Sequence, residues 1–183
     1  MSLNEYYEIF APLMAACLRK RKQSDFKKMH LWYLYRQAFY GLGECLQWNA
    51  ICCLSTSAAS EFSKLRPSEE LRALRWSDQP SFDPGRKLFH LEHIYTGDMF
   101  RAAVESAAPT IDAASFAELV TNNFAVAWIL KSENASENLR KSYRGVFLID
   151  ALQEYRKAGI QLLPPLIPSV VSEKVSKVFP GMS

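Results

Sequence analysis

Lys87-Leu-Phe-His90-Leu-Glu92-His93-Ile-Tyr95 is the stretch whose reading decides the fold class of this chain. Read with a period of two, it is a strand with Phe89, Leu91, His93 and Tyr95 on one face and Leu88, His90, Glu92 and Ile94 on the other. Read as a helix, it makes His90 and His93 neighbours three positions apart, able to chelate one ion together. The local alternation favours the strand, which pairs His90 with Glu92 and leaves His93 in a row of Phe, Leu and Tyr. Downstream, Phe124-Ala-Val-Ala-Trp-Ile-Leu-Lys131 reads as a buried strand, because it is a short apolar run that includes β-branched residues. With helical patterns over most of the remainder, the expected fold is α+β and predominantly helical, with N-terminal helices packed on a small sheet in the C-terminal half.

Working outward, residues 4–22 carry Tyr6, Ile9, Phe10, Leu13, Met14 and Cys17 at amphipathic-helix spacing, and Pro12 predicts a kink or an early stop. Ser24-Asp25 caps a second helix, expected from about Phe26 to about Leu54, with Leu31, Tyr35, Ala38, Leu42, Cys45 and Asn49 on one stripe. Gly41 and Gly43 weaken it by roughly 1 kcal/mol each relative to Ala. Residues 66–85 are rich in Pro, Ser and Asp and form a connection around one short helix at Ser68–Arg75. Thr96-Gly97-Asp98 opens a helix to about Ala107, Ser115 opens another, and a helix at about Phe147–Ala158 ends at Gly159. Ile160–Leu163 is extended, prolines then stop regular structure, and the tail from Ser172 forms a last short helix. The chain reads as one domain over residues 1–183: a helical half to about residue 65, the connection 66–85, and a mixed α/β half from 86 onward.

The 183 residues are 49% hydrophobic, 22% charged and 13% aromatic, a composition that supports a packed core and argues against disorder. No apolar run approaches the ~20 residues of a membrane span, and the first residues lack the positive-then-apolar order of a signal peptide. The expectation is a cytoplasmic protein with no membrane partner. Cys17, Cys45, Cys52 and Cys53 contain no C-x-x-C pair and are expected to be reduced and packed inside helices. There is no Gly-rich phosphate loop and no G-x-S-x-G elbow, which sets aside nucleotide-hydrolysing and α/β-hydrolase chemistry.

The net charge of +3 demands no polyanionic partner, yet Arg19, Lys20, Arg21, Lys22, Lys27 and Lys28 form a basic knot opposed only by Asp25. Such a knot could neutralise several phosphates of DNA or RNA, or be a solvated helix end that complements the helix dipole. The chemically versatile residues are His90, Glu92 and His93, since imidazole and carboxylate bind metals and move protons near neutral pH. One histidine would serve as base or ligand, with Glu92 and Asp98 as acidic partners. The alternative makes His93 a core histidine and Glu92 an ion-pair partner.

Glu92-His93-Ile94 resembles the first motif of His-Me finger (HNH) nucleases. The resemblance implies His93 as the water-activating base, Glu92 beside a divalent metal, and a metal set drawn from His90, Glu92 and Asp98. It covers a handful of residues; the Asn-Leu element of that family has its counterpart here only at Asn138-Leu139, and no histidine follows His93. A wider stretch resembles bacterial and phage-associated hypothetical proteins of unassigned activity: Leu91-Glu-His93, Ala127-Trp-Ile-Leu-Lys-Ser-Glu133, Leu139 and Tyr155-Arg-Lys-Ala-Gly-Ile160. That resemblance implies that Glu92, His93, Lys131 and Glu133 lie together as a phosphate or metal site, although Lys131-Ser-Glu133 is equally a polar exit from a strand.

The leading expectation is therefore a nucleic-acid-interacting protein, in its sharpest form a metal-dependent nuclease of bacterial or phage defence type. The competing one is a non-catalytic helical protein-interaction module, including association with a second copy of the chain. A third, motivated by composition alone, is a small apolar ligand held between aromatic-rich helices around Tyr33–Trp48.

Overall fold

The computed structural model describes residues 3–23, 28–46, 51–107, 111–136, 139, 148–166 and 179. The fold is α+β and predominantly helical, with a four-stranded mixed sheet. Two long helices, α1 (Leu3–Gln23) and α2 (Lys28–Leu46), form an antiparallel hairpin, with the Tyr6 hydroxyl donating to the Ala38 carbonyl at 3.0 Å. Then come β1 (Ile51–Ser55), α3 (Thr56–Leu65), β2 (Phe89–His93), α4 (Gly97–Ala107), α5 (Ala113–Asn123) and β3 (Ala125–Leu130). A single turn, α6 (Lys131–Asn134), then α7 (Leu148–Lys157) and the short β4 (Leu162–Leu163) complete it. Among the described residues, no helix is long and apolar enough to cross a membrane.

The strand order is β2-β3-β1-β4, with β1 parallel to β3 and the two outer strands antiparallel to their neighbours. The central strands are buried runs, Cys52–Ser55 and Ala125–Ile129, as strands covered on both faces must be. Edge strand β2 buries only Phe89 fully. α1 and α2 pack with α4 and α5 around Phe39, Phe100, Phe116 and Phe124, while α3 covers β1 and β3. Caps fix where the helices start and stop. Ser55 accepts from Ala58 N at the start of α3, Asp112 accepts from Ser115 N at the start of α5, and Gly159 takes a positive φ of 80° after α7.

Four expectations are corrected. The second helix ends at Leu46 rather than near Leu54, because Ile51-Cys-Cys-Leu54 pairs in register with Ala125–Trp128 as a central strand. Cys52 and Cys53 therefore pack in a strand, while Cys17 is buried in α1. The α1 helix continues past Pro12, so the early stop is not found, and its buried face is Tyr6, Tyr7, Ala11, Met14, Ala15, Cys17 and Leu18, with Ile9 and Leu13 left exposed. In place of a helix at Ser68–Arg75, there are 3-10 turns at Leu71–Ala73 and Trp76–Ser81, the first capped by Glu70 accepting from Arg72 N. The Ser24-Asp25 cap, Trp48, Asn49 and the tail helix from Ser172 lie outside the described residues.

Candidate functional site

Strand geometry divides the histidine segment as alternation requires. On one face of β2, His90 Nε2 and Glu92 Oε2 meet at 3.0 Å, with the imidazole about a third exposed and the carboxylate less so, at 36% and 18%. Carboxylates so placed fix the tautomer and orientation of an imidazole and support the cation when it forms. The pair is therefore an imidazole and a carboxylate in contact on an edge strand, within reach of solvent.

His93 turns to the other face. Its ring lies 5.0 Å from Phe39, 5.9 Å from Phe124 and 6.2 Å from Tyr40, centroid to centroid. Burial among these rings holds its pKa below the ordinary imidazole value; Glu92 pulls it up and His90 pushes it down, each less than burial does. The α2 backbone lies against this ring, since a Cβ at position 43 would sit 3.5 Å from His93 Nε2, an ordinary contact distance. Glu92 and His93 thus project from opposite faces of β2.

Lys131 and Glu133 lie at the far end of the sheet from His93. The antiparallel register sets Phe89 opposite Leu130 and His93 opposite Val126, and Lys131 N donates to the Leu88 carbonyl at 2.8 Å. Four residues of strand, roughly 13 Å at about 3.3 Å per residue, separate the two ends. Glu133 is occupied locally, its Oε2 accepting from Ser55 Oγ and from Leu130 N, each at 2.7 Å. It caps α6 and ties the end of β1 to the end of β3. Lys131 is exposed at the same turn.

The proposed metal set is not assembled. Asp98, in the first turn of α4, lies 3.5 Å from Arg101 Nε and lines a cavity shared with His93, on the other side of β2 from His90 and Glu92. Among the described residues, no three His, Cys, Asp or Glu side chains come together to hold a metal ion. The residues do not fit a metal as the resemblance would place it. Of the basic knot, Arg19 is half-buried and Lys20 exposed in the last turns of α1, where Arg21 and Lys22 continue the helix; Lys28 begins α2, and Lys27 lies outside the described residues.

Composition alone pointed to the aromatic region around Tyr33–Trp48, and not to the cavity that His93 and Asp98 complete there. It measures about 330 Å³ and is walled by one stripe of α2, Trp32, Tyr35, Arg36, Phe39 and Tyr40, with Thr96 and Gly97 at the start of α4. The spacing i, i+3, i+4, i+7, i+8 was available as a signal, but an aromatic stripe at that spacing is ordinarily core. A larger one, about 420 Å³, opens between α7 and β4 near Leu152, Arg156 and Ile160 and contains none of the predicted site residues. No protein-family model, curated protein or solved structure matches the chain.

Proposed function

We propose that this protein interacts with nucleic acid and that the His90–Glu92 pair is its proton-transfer group. The observation that carries the reading is the 3.0 Å contact between a solvent-reachable imidazole and a carboxylate on an edge strand. A general base needs that arrangement: an imidazole oriented by an acid and accessible to a hydroxyl or water. Arg19 and Lys20, with the basic residues that follow them in sequence, supply the cationic segment for phosphate contacts. In a cleaving version of this reading the base is His90 rather than His93, and no step is routed through a metal.

The test is fluorescence anisotropy with labelled single-stranded DNA, duplex DNA and RNA at two salt concentrations, beside a cleavage assay. Binding that weakens steeply with salt and with Arg19→Ala/Lys20→Ala supports the reading. Loss of cleavage in both His90→Ala and Glu92→Gln assigns the pair. No binding to any of the three, or cleavage untouched by both substitutions, removes it.

A second reading, a non-catalytic protein-interaction module, is favoured by Ile9 and Leu13 on α1 and Tyr33 and Leu34 on α2, large apolar side chains that are all exposed. Light scattering across a concentration series tests its simplest form, self-association.

A further inference from the structure

The geometry points to a ligand site in the cavity between α2, the end of β2 and the start of α4, suited to a small anion that carries a heteroaromatic ring, of the nucleoside monophosphate class. It stands on observations separate from the His90–Glu92 pair and does not depend on the nucleic-acid reading.

The first observation is an unsatisfied group. Tyr35 is 1% exposed and lines the cavity, yet its buried hydroxyl has no hydrogen-bond partner among the described residues. Buried hydroxyls are nearly always paired, and one left unpaired beside a cavity is a donor and acceptor waiting for something that enters it. The second is the wall. Trp32 and Tyr35 stack on one another, 10° apart with centroids 5.4 Å from each other, and both line the cavity. Phe39 and His93, tilted 36° to each other with centroids 5.0 Å apart, continue the aromatic lining to β2. An aromatic lining with a few fixed polar atoms is what heteroaromatic rings bind, by stacking and by hydrogen bonds to the ring edge. A volume of about 330 Å³ admits one such ring with a substituent, and no more.

The third observation concerns charge. Asp98 is matched by Arg101 at 3.5 Å, and Arg101 also reaches Glu105 at 3.4 Å. Arg36, on the cavity wall, has no carboxylate within ion-pair distance among the described residues; its guanidinium instead donates to the Tyr40 hydroxyl at 2.7 Å. That cation lines the same cavity as the start of the eleven-residue helix α4, whose dipole also favours an anion. An anionic substituent would lie between Arg36 and the Thr96-Gly97 turn, with the ring against Trp32 and Tyr35. The turn packs directly on the cavity wall, since a Cβ at position 97 would meet the Phe39 ring at 3.4 Å.

Isothermal titration of the full chain with the common ribonucleoside monophosphates, the matching nucleosides and inorganic phosphate tests this. The expected result is binding of at least one monophosphate, weaker binding of its nucleoside, and none of phosphate alone. Tyr35→Phe removes only the unpartnered hydroxyl, so it should melt like the parent and bind about tenfold more weakly or worse, a full decade in the dissociation constant. Arg36→Gln should weaken the monophosphate and leave the nucleoside unchanged, and His90→Ala should alter neither. No monophosphate binding at millimolar concentration overturns the inference. So does a Tyr35→Phe protein that folds and binds like the parent, or phosphate binding as tightly as the monophosphates.

Discussion

Ser55 Oγ donates to Glu133 Oε2 at 2.7 Å across 78 positions of sequence, and the same hydroxyl accepts from Ala58 N to cap α3. One buried serine thus caps the start of a helix and joins the ends of the two parallel strands. Removing either partner strands the other: Ser55→Ala leaves a carboxylate one donor short and α3 uncapped. We expect Ser55→Ala to cost about 1–3 kcal/mol, as for other buried polar groups left unsatisfied, and Glu133→Gln to cost less because an amide oxygen still accepts. Urea unfolding of both variants measures this. Loss of less than half a kcal/mol in Ser55→Ala would show the link to be dispensable.

Asp83 makes the fold sensitive to acid. Its carboxylate is buried and accepts from the backbone N–H groups of Lys87, Leu88 and Phe89 and from the Gln79 amide, which in turn donates to the Phe89 carbonyl. Burial pushes its pKa up, but the Phe89 N–H, the Gln79 amide and the N–H groups of Leu88 and Lys87 together outweigh it and hold the group below the ordinary carboxylate value. A carboxyl depressed in the folded state stabilises the fold above the unfolded value, about pH 3.9, and loses that contribution as pH falls through the folded value. Denaturation midpoints should therefore fall below about pH 4 in the parent, and Asp83→Asn should be less stable at neutral pH with a shallower acid limb. Equal acid limbs in the two proteins would rule out this role.

His93 gives a second pH dependence in a different window. Its folded pKa lies below the ordinary value because burial beside Phe39 and Phe124 disfavours the cation. The unfolded chain takes up a proton first, so stability is fully present above about pH 6.5 and is lost as pH falls through the folded value. His93→Phe, which keeps an aromatic ring in the cluster, should flatten the stability profile as pH falls below about 6.5, whereas the parent keeps its slope there. Chemical denaturation at paired pH values distinguishes them.

Much of this arrangement was legible in the sequence. Period-two alternation placed His90 with Glu92 and His93 apart, and β2 keeps that division. The caps at Thr96-Gly97-Asp98 and Gly159 marked helix boundaries within a residue or two. What alternation cannot supply is register: only the pairing of Phe89 with Leu130 reveals that Lys131 and Glu133 sit a strand's length from His93. Nor could helical periodicity warn that Ile51–Leu54 leaves the helix, since a short apolar run fits either structure until a partner strand claims it. On α1, Ile9 and Leu13 matched the helical stripe, but Tyr7 and Ala11 pack inward because α2 and α5 approach on that side. The cavity at His93 needs three elements at once and leaves no local signature.

The two glycines of α2 should respond with opposite sign. Both lie within the helix, where Gly costs about 1 kcal/mol relative to Ala, so propensity alone favours replacing each. At Gly43 a methyl would meet His93 Nε2 at 3.5 Å and the Phe124 ring at 3.6 Å, ordinary contact distances, and the propensity gain should survive. At Gly41 it would meet the Tyr6 hydroxyl at 3.0 Å. That hydroxyl cannot easily give way: it donates to the Ala38 carbonyl, and its ring is buried and stacked on Phe10 at 3.9 Å. Gly41→Ala must shift a buried tyrosine or break its hydrogen bond, which outweighs the propensity term. Thermal melts should therefore rise or hold for Gly43→Ala and fall for Gly41→Ala. Adding Tyr6→Phe should restore most of the loss, because it removes the crowded oxygen. If Gly41→Ala melts as high as Gly43→Ala, the close approach of α1 to α2 at Tyr6 does not limit the helix hairpin.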